Sequence, residues 1–194
     1  MNEFNDYVAN KDNVIESDRA AGRIDSMGAY VGKFDQVRYV KASSTGSHGM
    51  RFYFDSSDGK AVFTLWIRSA DGKDFSNKTW LDCMMTVLKV NRLESETRKV
   101  DQKGENVEVV CYKSLENKEI GIILSHTITE DNNDDFKVAG VFDPKTNLTA
   151  KEIETGVKEP KAKDRIVKGL RLIDKRGLIK TEISQTSMSD FEGM

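Results

Sequence analysis

An all-β fold with one helix, a five-stranded Greek-key barrel carrying N- and C-terminal extensions, is predicted by three features of this sequence. Runs rich in aromatic and β-branched residues alternate apolar and polar positions over residues 28–41, 50–54 and 61–68, and strand-like runs return beyond residue 107. A period of two marks half-buried strands. Trp80 to Val90 instead repeats its apolar residues at helical spacing. The third feature is the order: three strands, a helix, then two or three more strands.

The first strand is read over Gly28–Lys41, with Gly32 marking a bend or bulge. Ser43 to Gly49 is a flexible loop. Met50–Phe54 and Ala61–Arg68 then form an antiparallel hairpin around the polar turn Asp55–Gly59. Alternation turns Phe52, Phe54, Phe63, Leu65 and Ile67 inward, and Arg51, Tyr53, Thr64, Trp66 and Arg68 outward. After a turn at residues 70–74 comes the amphipathic helix, with Ser76 or Asn77 as its cap. Asn91 to Asn106 is charged and reads as loop. Strands follow at 107–112, 120–129 and 136–142, the last two joined by the acidic loop Glu130–Asp135. A helix between strands three and four is the order of the OB-fold.

The barrel is expected over residues 28–143, with an acidic arm at 1–27, a basic extension at 144–181 and an acidic tail at 182–194. From Lys151 to Lys180 ten bases face five acids, and Pro160 interrupts any helix across the segment. A solvated surface extension is one reading of it, and a strip prolonging a nucleic-acid path the other. Hydrophobic residues at 38% and charged residues at 32% fit a soluble protein with solvated ends. No apolar run reaches the length of a membrane span, and the polar, acidic N-terminus does not resemble a signal peptide. A reduced cytoplasmic setting is expected, since Cys83 and Cys111 belong to no Cys-x-x-Cys pair.

Catalytic and metal chemistry find little in this chain. With His48 and His126 as the histidines, a zinc site would need all four scattered Cys and His residues. The stretch Gly72–Thr79 nearly fits a phosphate-cradling loop, but Asn77 stands where the second glycine must let the backbone wrap the phosphates. The acidic loop lacks the spaced ligands and closing glutamate of a calcium site. We therefore expect no enzyme, no cofactor, no catalytic residue and no bound metal.

The positive signal is the outward set Arg51, Tyr53, Trp66 and Arg68. Large aromatics gain by burial, so placing Tyr and Trp between arginines on a surface calls for a partner. Single-stranded nucleic acid fits, since bases stack on the rings while Arg neutralises phosphate. Tyr30, Lys33, Arg38 and Lys41 of the first strand are the flanking candidates, with Tyr39 beside them. The net charge of −2 supplies no global attraction to nucleic acid, so the local distribution must do so. The competing reading packs Trp66 and Tyr53 beneath the arm, the basic segment or a second subunit.

Four blocks in order, residues 28–33, Leu65-Trp66-Ile67-Arg68 with Asp71-Gly72, residues 115–124, and Val141-Phe142-Asp143 with residues 149–153, resemble the phage-type single-stranded DNA-binding proteins. The likeness covers about Gly28 to Ile153. It implies an OB-fold that coats single-stranded DNA during phage replication, recombination or repair. Asp190, Phe191 and Glu192 resemble the acidic, aromatic tip with which such proteins recruit replication or recombination partners, although this tail is short in acids and ends in Gly193-Met194. No membrane partner is implied, and a homo-oligomer is left open. From another class, a phage accessory or inhibitor module would turn the same aromatic face to a host protein.

Overall fold

The computed structural model describes residues 22–102 and 105–176. The arm up to residue 21 and the tail from 177, with Asp190, Phe191 and Glu192, lie outside the described residues. Within them the chain is mostly β-sheet. The strands are β1 (Gly28–Lys41), β2 (His48–Ser56), β3 (Gly59–Arg68), β4 (Glu96–Gln102), β5 (Glu105–Cys111), β6 (Glu119–Ile128), β7 (Asp134–Phe142) and β8 (Ile173–Asp174). The helices are α1 (Lys78–Leu88), α2 (Ala150–Glu154) and α3 (Ala162–Gly169).

Strand β1 organises the sheet. It pairs antiparallel with β2 over Gly32–Lys41, with β6 over Gly28–Lys33, and with β5 at Arg38 opposite Cys111. β3 continues from β2 and β7 from β6, both antiparallel, while the short β8 runs parallel to β6. No pairing joins β3 to β7 among the described residues, so the sheet is open between them. The β-rich class expected from the sequence holds.

A bulge lets one strand serve two neighbours. The register of β1 against β2 shifts between Phe34 and Gln36, leaving Asp35 as the extra residue, three positions after the glycine expected to mark it. Tyr30 and Phe34 before the bulge and Val37 after it all point inward and are buried. The buried Glu116 holds this irregular backbone: its Oε1 accepts from the Val37 N–H at 3.0 Å and its Oε2 from Arg98 Nη1 at 2.6 Å.

Phe34, Phe52, Phe54 and Phe63 form the centre of the inner core. The Phe52 and Phe63 rings stack 5.2 Å apart, and Phe34 stands 5.0 Å from Phe52. Each buried ring contributes about 2–3 kcal/mol from the area removed from water. Helix α1 adds Leu81, Met84, Val87 and Leu88. It ends where Lys89 turns left-handed, φ 54°, and donates back to Met85 and Thr86 carbonyls. Asn77 occupies the cap position, but its side chain makes no capping bond.

Two segments depart from expectation. Residues 96–102, read as loop, are strand β4, paired along its length with β5. The basic extension forms two short helices on either side of Pro160 and returns to the sheet as β8. Helix α3 packs on the outer face of β6 and β7. There Ile123 and Phe142 are buried, an added Cβ at Gly140 would meet Ile166, and Lys163 Nζ lies 5.1 Å from the Phe142 ring. Gly121 leaves room for that ring, since a Cβ there would come within 2.3 Å of it.

Candidate functional site

The outer face of β1, β2 and β3 is built row by row from the register. Lys33, Asp55 and Lys60 form the first row, Gln36, Tyr53 and Val62 the second, Arg38, Arg51 and Thr64 the third, and Val40, Gly49 and Trp66 the fourth. Phe52, Phe54, Phe63 and Leu65 occupy the intervening positions and fill the core, so the alternation that buries them forces the polar and aromatic set outward. Val62, 54% exposed, shows how open this face is.

The side chains on it are held in place. The Arg38 guanidinium stands 4.7 Å from the Tyr53 ring centroid, and its Nε donates to Gln36 Oε1 at 2.7 Å. Arg51 Nε donates to Thr64 Oγ1 at 3.4 Å. The half-buried Trp66 indole lies against Gly49, where an added Cβ would come within 2.9 Å of the ring and 2.5 Å of the Leu65 carbonyl oxygen. Among the described residues neither arginine is paired with an acid, whereas Lys33 is, with Asp35 at 3.7 Å. Two cations without acidic partners among those residues and two partly exposed rings therefore share one sheet face.

Arg38, Arg51, Tyr53 and Trp66 are thus brought together as the alternation predicts, with Lys33 on the same face two rows away. Three candidates are not. Tyr30 shares the inward side of Phe34, is only 9% exposed, and its hydroxyl donates to the Ser26 carbonyl at 2.7 Å. Lys41 is paired with His48 and falls on the face opposite Arg38, three positions along the strand. Arg68 is displaced by a second bulge: Trp66 pairs with Gly49 and Arg68 with His48, so the unpaired Ile67 sends Arg68 to the opposite face. Its Nε binds Asp74 Oδ1 at 2.9 Å, and Lys78 binds the other oxygen of Asp74 at 2.6 Å. Lys78 and then Arg68 hold the Asp74 carboxyl below the usual carboxylate range.

Beside the face lies a feature that sequence reasoning missed. The gap between β3 and β7 is a cleft of about 790 Å³. Arg51, Thr64 and Trp66 line one wall, Asp134, Phe136 and Lys137 the other, and Trp80 enters from α1. Gly22 and Ile24 hydrogen-bond the Lys60 backbone at one end, and Arg23 reaches across to the Asp134 carbonyl at 3.4 Å. Trp80 was legible as a helix residue, but nothing in the sequence set it beside Trp66. Among the described residues no group of three or more His, Cys, Asp or Glu side chains stands close enough to hold a metal, and no helix is long and apolar enough to cross a membrane.

Comparison with known proteins found no family model, no curated protein and no solved structure that matches this chain.

Proposed function

We propose that this protein binds single-stranded DNA without sequence preference, on an OB-type barrel made by β1, β2, β3, β6 and β7, and that it supports phage DNA replication, recombination or repair. The observation that carries the reading is a contrast between two outer faces. The face of β6 and β7 is apolar and covered by α3, whereas that of β1 to β3 is left open with Trp66, Tyr53, Arg38 and Arg51 on it. The likeness of sequence blocks to the phage-type binding proteins supports it as well.

The mechanism is stacking with charge neutralisation. Bases lie against Trp66 and against the Arg38–Tyr53 pair, each stacked base contributing about 1–3 kcal/mol. Arg51 and Arg38 meet phosphate, so binding weakens as salt rises. Titrating a labelled oligo-dT at several salt concentrations tests this. Arg51→Gln is expected to lower the slope of log affinity against log salt by about 0.7, the value of one lost phosphate contact on a single strand. An unchanged slope in a folded variant contradicts the assignment.

The gap between β3 and β7, across which no strand pairing runs among the described residues, favours a second reading, a protein-interaction module that takes an extended segment of a partner. One stoichiometric protein captured after nuclease treatment, with no oligo-dT binding, would select it.

A further inference from the structure

The bulge that removes Arg68 from the outer face gives it a place in a second opening. At the same strand ends, on the opposite side of the sheet, Tyr39, His48, Met50, Ile67, Arg68 and Tyr112 line a groove of about 320 Å³. That volume is at the lower limit of small-ligand sites and suits one ring system rather than a folded partner. Met50 and Ile67 supply an apolar floor, and two tyrosine rings supply flat faces.

The polar side chains of the lining are Tyr39, His48, Arg68 and Tyr112. The Tyr39 hydroxyl is hydrogen-bonded to His48 Nδ1, and Tyr39 remains 37% exposed. The Tyr112 hydroxyl has no hydrogen-bond partner among the described residues. Burial, and then the neighbouring Tyr39, push its pKa up, so it stays protonated and able to donate. Arg68, which shares Asp74 with Lys78, and the exposed Lys41 bring three cations against one carboxylate to this end.

Gly49 lies between the two sides: the Trp66 ring rests over it on the outer face, and on the other side it lines the groove. We infer that the groove is a second subsite for a nucleobase of the strand bound on the outer face. The base enters between Tyr39 and Tyr112, its polar edge meets the hydroxyls and His48, and the connecting phosphate passes Lys41 and Arg68. The strand turns around the ends of β2 and β3 instead of leaving along the face. This inference rests on the single-strand reading above. It adds to that reading a further step in affinity with length that depends on Tyr39 and Tyr112 and not on the outer face.

The test compares oligo-dT of increasing length on the full chain, wild type against Tyr39→Ala, Tyr112→Phe and Trp66→Ala. For wild type, affinity should step up by about tenfold once the oligonucleotide is long enough to reach the groove, as one stacked base would give. Tyr39→Ala should abolish the step while leaving the shortest binding oligonucleotides unaffected. Tyr112→Phe keeps the ring and the fold and should reduce the step. Trp66→Ala should weaken every length. A 5-iodouracil-substituted oligo-dT should photocrosslink to the peptide carrying Tyr39 or Tyr112. If wild type and Trp66→Ala behave as stated but Tyr39→Ala keeps the step and no such crosslink forms, the groove assignment is overturned and the outer-face reading stands. If wild type binds no oligonucleotide, both are overturned. Loss at Tyr39→Ala of a co-purifying protein, with DNA binding intact, would give the groove to a protein segment and also overturn the inference.

Discussion

Gly49 is where the backbone and the site constrain each other most closely. A Cβ there would stand 2.5 Å from the Leu65 carbonyl oxygen and 2.9 Å from the Trp66 ring, so only glycine lets β2 and the indole come this close. We predict that Gly49→Ala costs about 1–3 kcal/mol through overpacking against backbone that cannot yield. It should also weaken oligo-dT binding by tilting the indole. Chemical denaturation measures the first effect and titration the second. Unchanged stability with unchanged binding would mean that the close approach is not kept in solution. At this scale the sequence told much. Alternation alone placed Arg51, Tyr53 and Trp66 outward because Phe52, Phe54, Phe63 and Leu65 so clearly require the interior. It misplaced Arg68 because a bulge at Ile67 has no signature in residue type, and Tyr30 because its hydroxyl finds a partner at Ser26 while its ring packs inward.

Among the elements, those with a regular apolar pattern were legible and those held by polar contacts were not. β1 was read at its observed limits, and α1 began two residues before the expected Trp80. β4 has the sequence Glu-Thr-Arg-Lys-Val-Asp-Gln, which alternates nothing. It is a strand because β5 offers a complete ladder and because Arg98 reaches the buried Glu116. The extension was hidden for a similar reason. Thr149 and Glu152 form a reciprocal capping box at α2, and Glu152 Oε1 also accepts from the Lys161 and Ala162 N–H groups at 2.9 Å, fixing the approach to α3. Burial alone would raise the Glu152 pKa, but the Thr149, Lys161 and Ala162 N–H donors overcome it and bring the carboxyl down from 4.5 to about 2. A depressed folded pKa gives stability that is fully present above about 4.5 and disappears as pH falls towards about 2. Glu152→Gln should therefore lower stability by about 1–2 kcal/mol at neutral pH, the cost of replacing a charge-assisted acceptor. It should also flatten the loss between those two pH values. Denaturation midpoints across that range measure it, and an unchanged acid profile would contradict the role.

For the molecule as a whole, the proposed function turns on which sheet face is covered. Among the described residues, the C-terminal extension folds over β6 and β7, where Ile123 and Phe142 are buried, and not over the aromatic and basic face of β1 to β3. Composition gave no hint of this division, since a net charge of −2 says nothing about where the bases of the extension settle. Apart from β4 and β8 the strand order was readable, but the gap that no pairing closes between β3 and β7 among the described residues, and the cleft in it, depend on how far the sheet curls, a property of packing that residue periodicity does not encode. The most direct test of the central claim is a titration of the purified protein with unlabelled oligo-dT, followed by intrinsic tryptophan fluorescence, for wild type, Trp66→Phe and Trp80→Phe. Stacking on the outer face predicts saturable quenching in wild type and Trp80→Phe, most of it lost in Trp66→Phe, with midpoints moving to higher DNA concentration as salt is added. Quenching that survives in Trp66→Phe, or no binding at low salt, would contradict it.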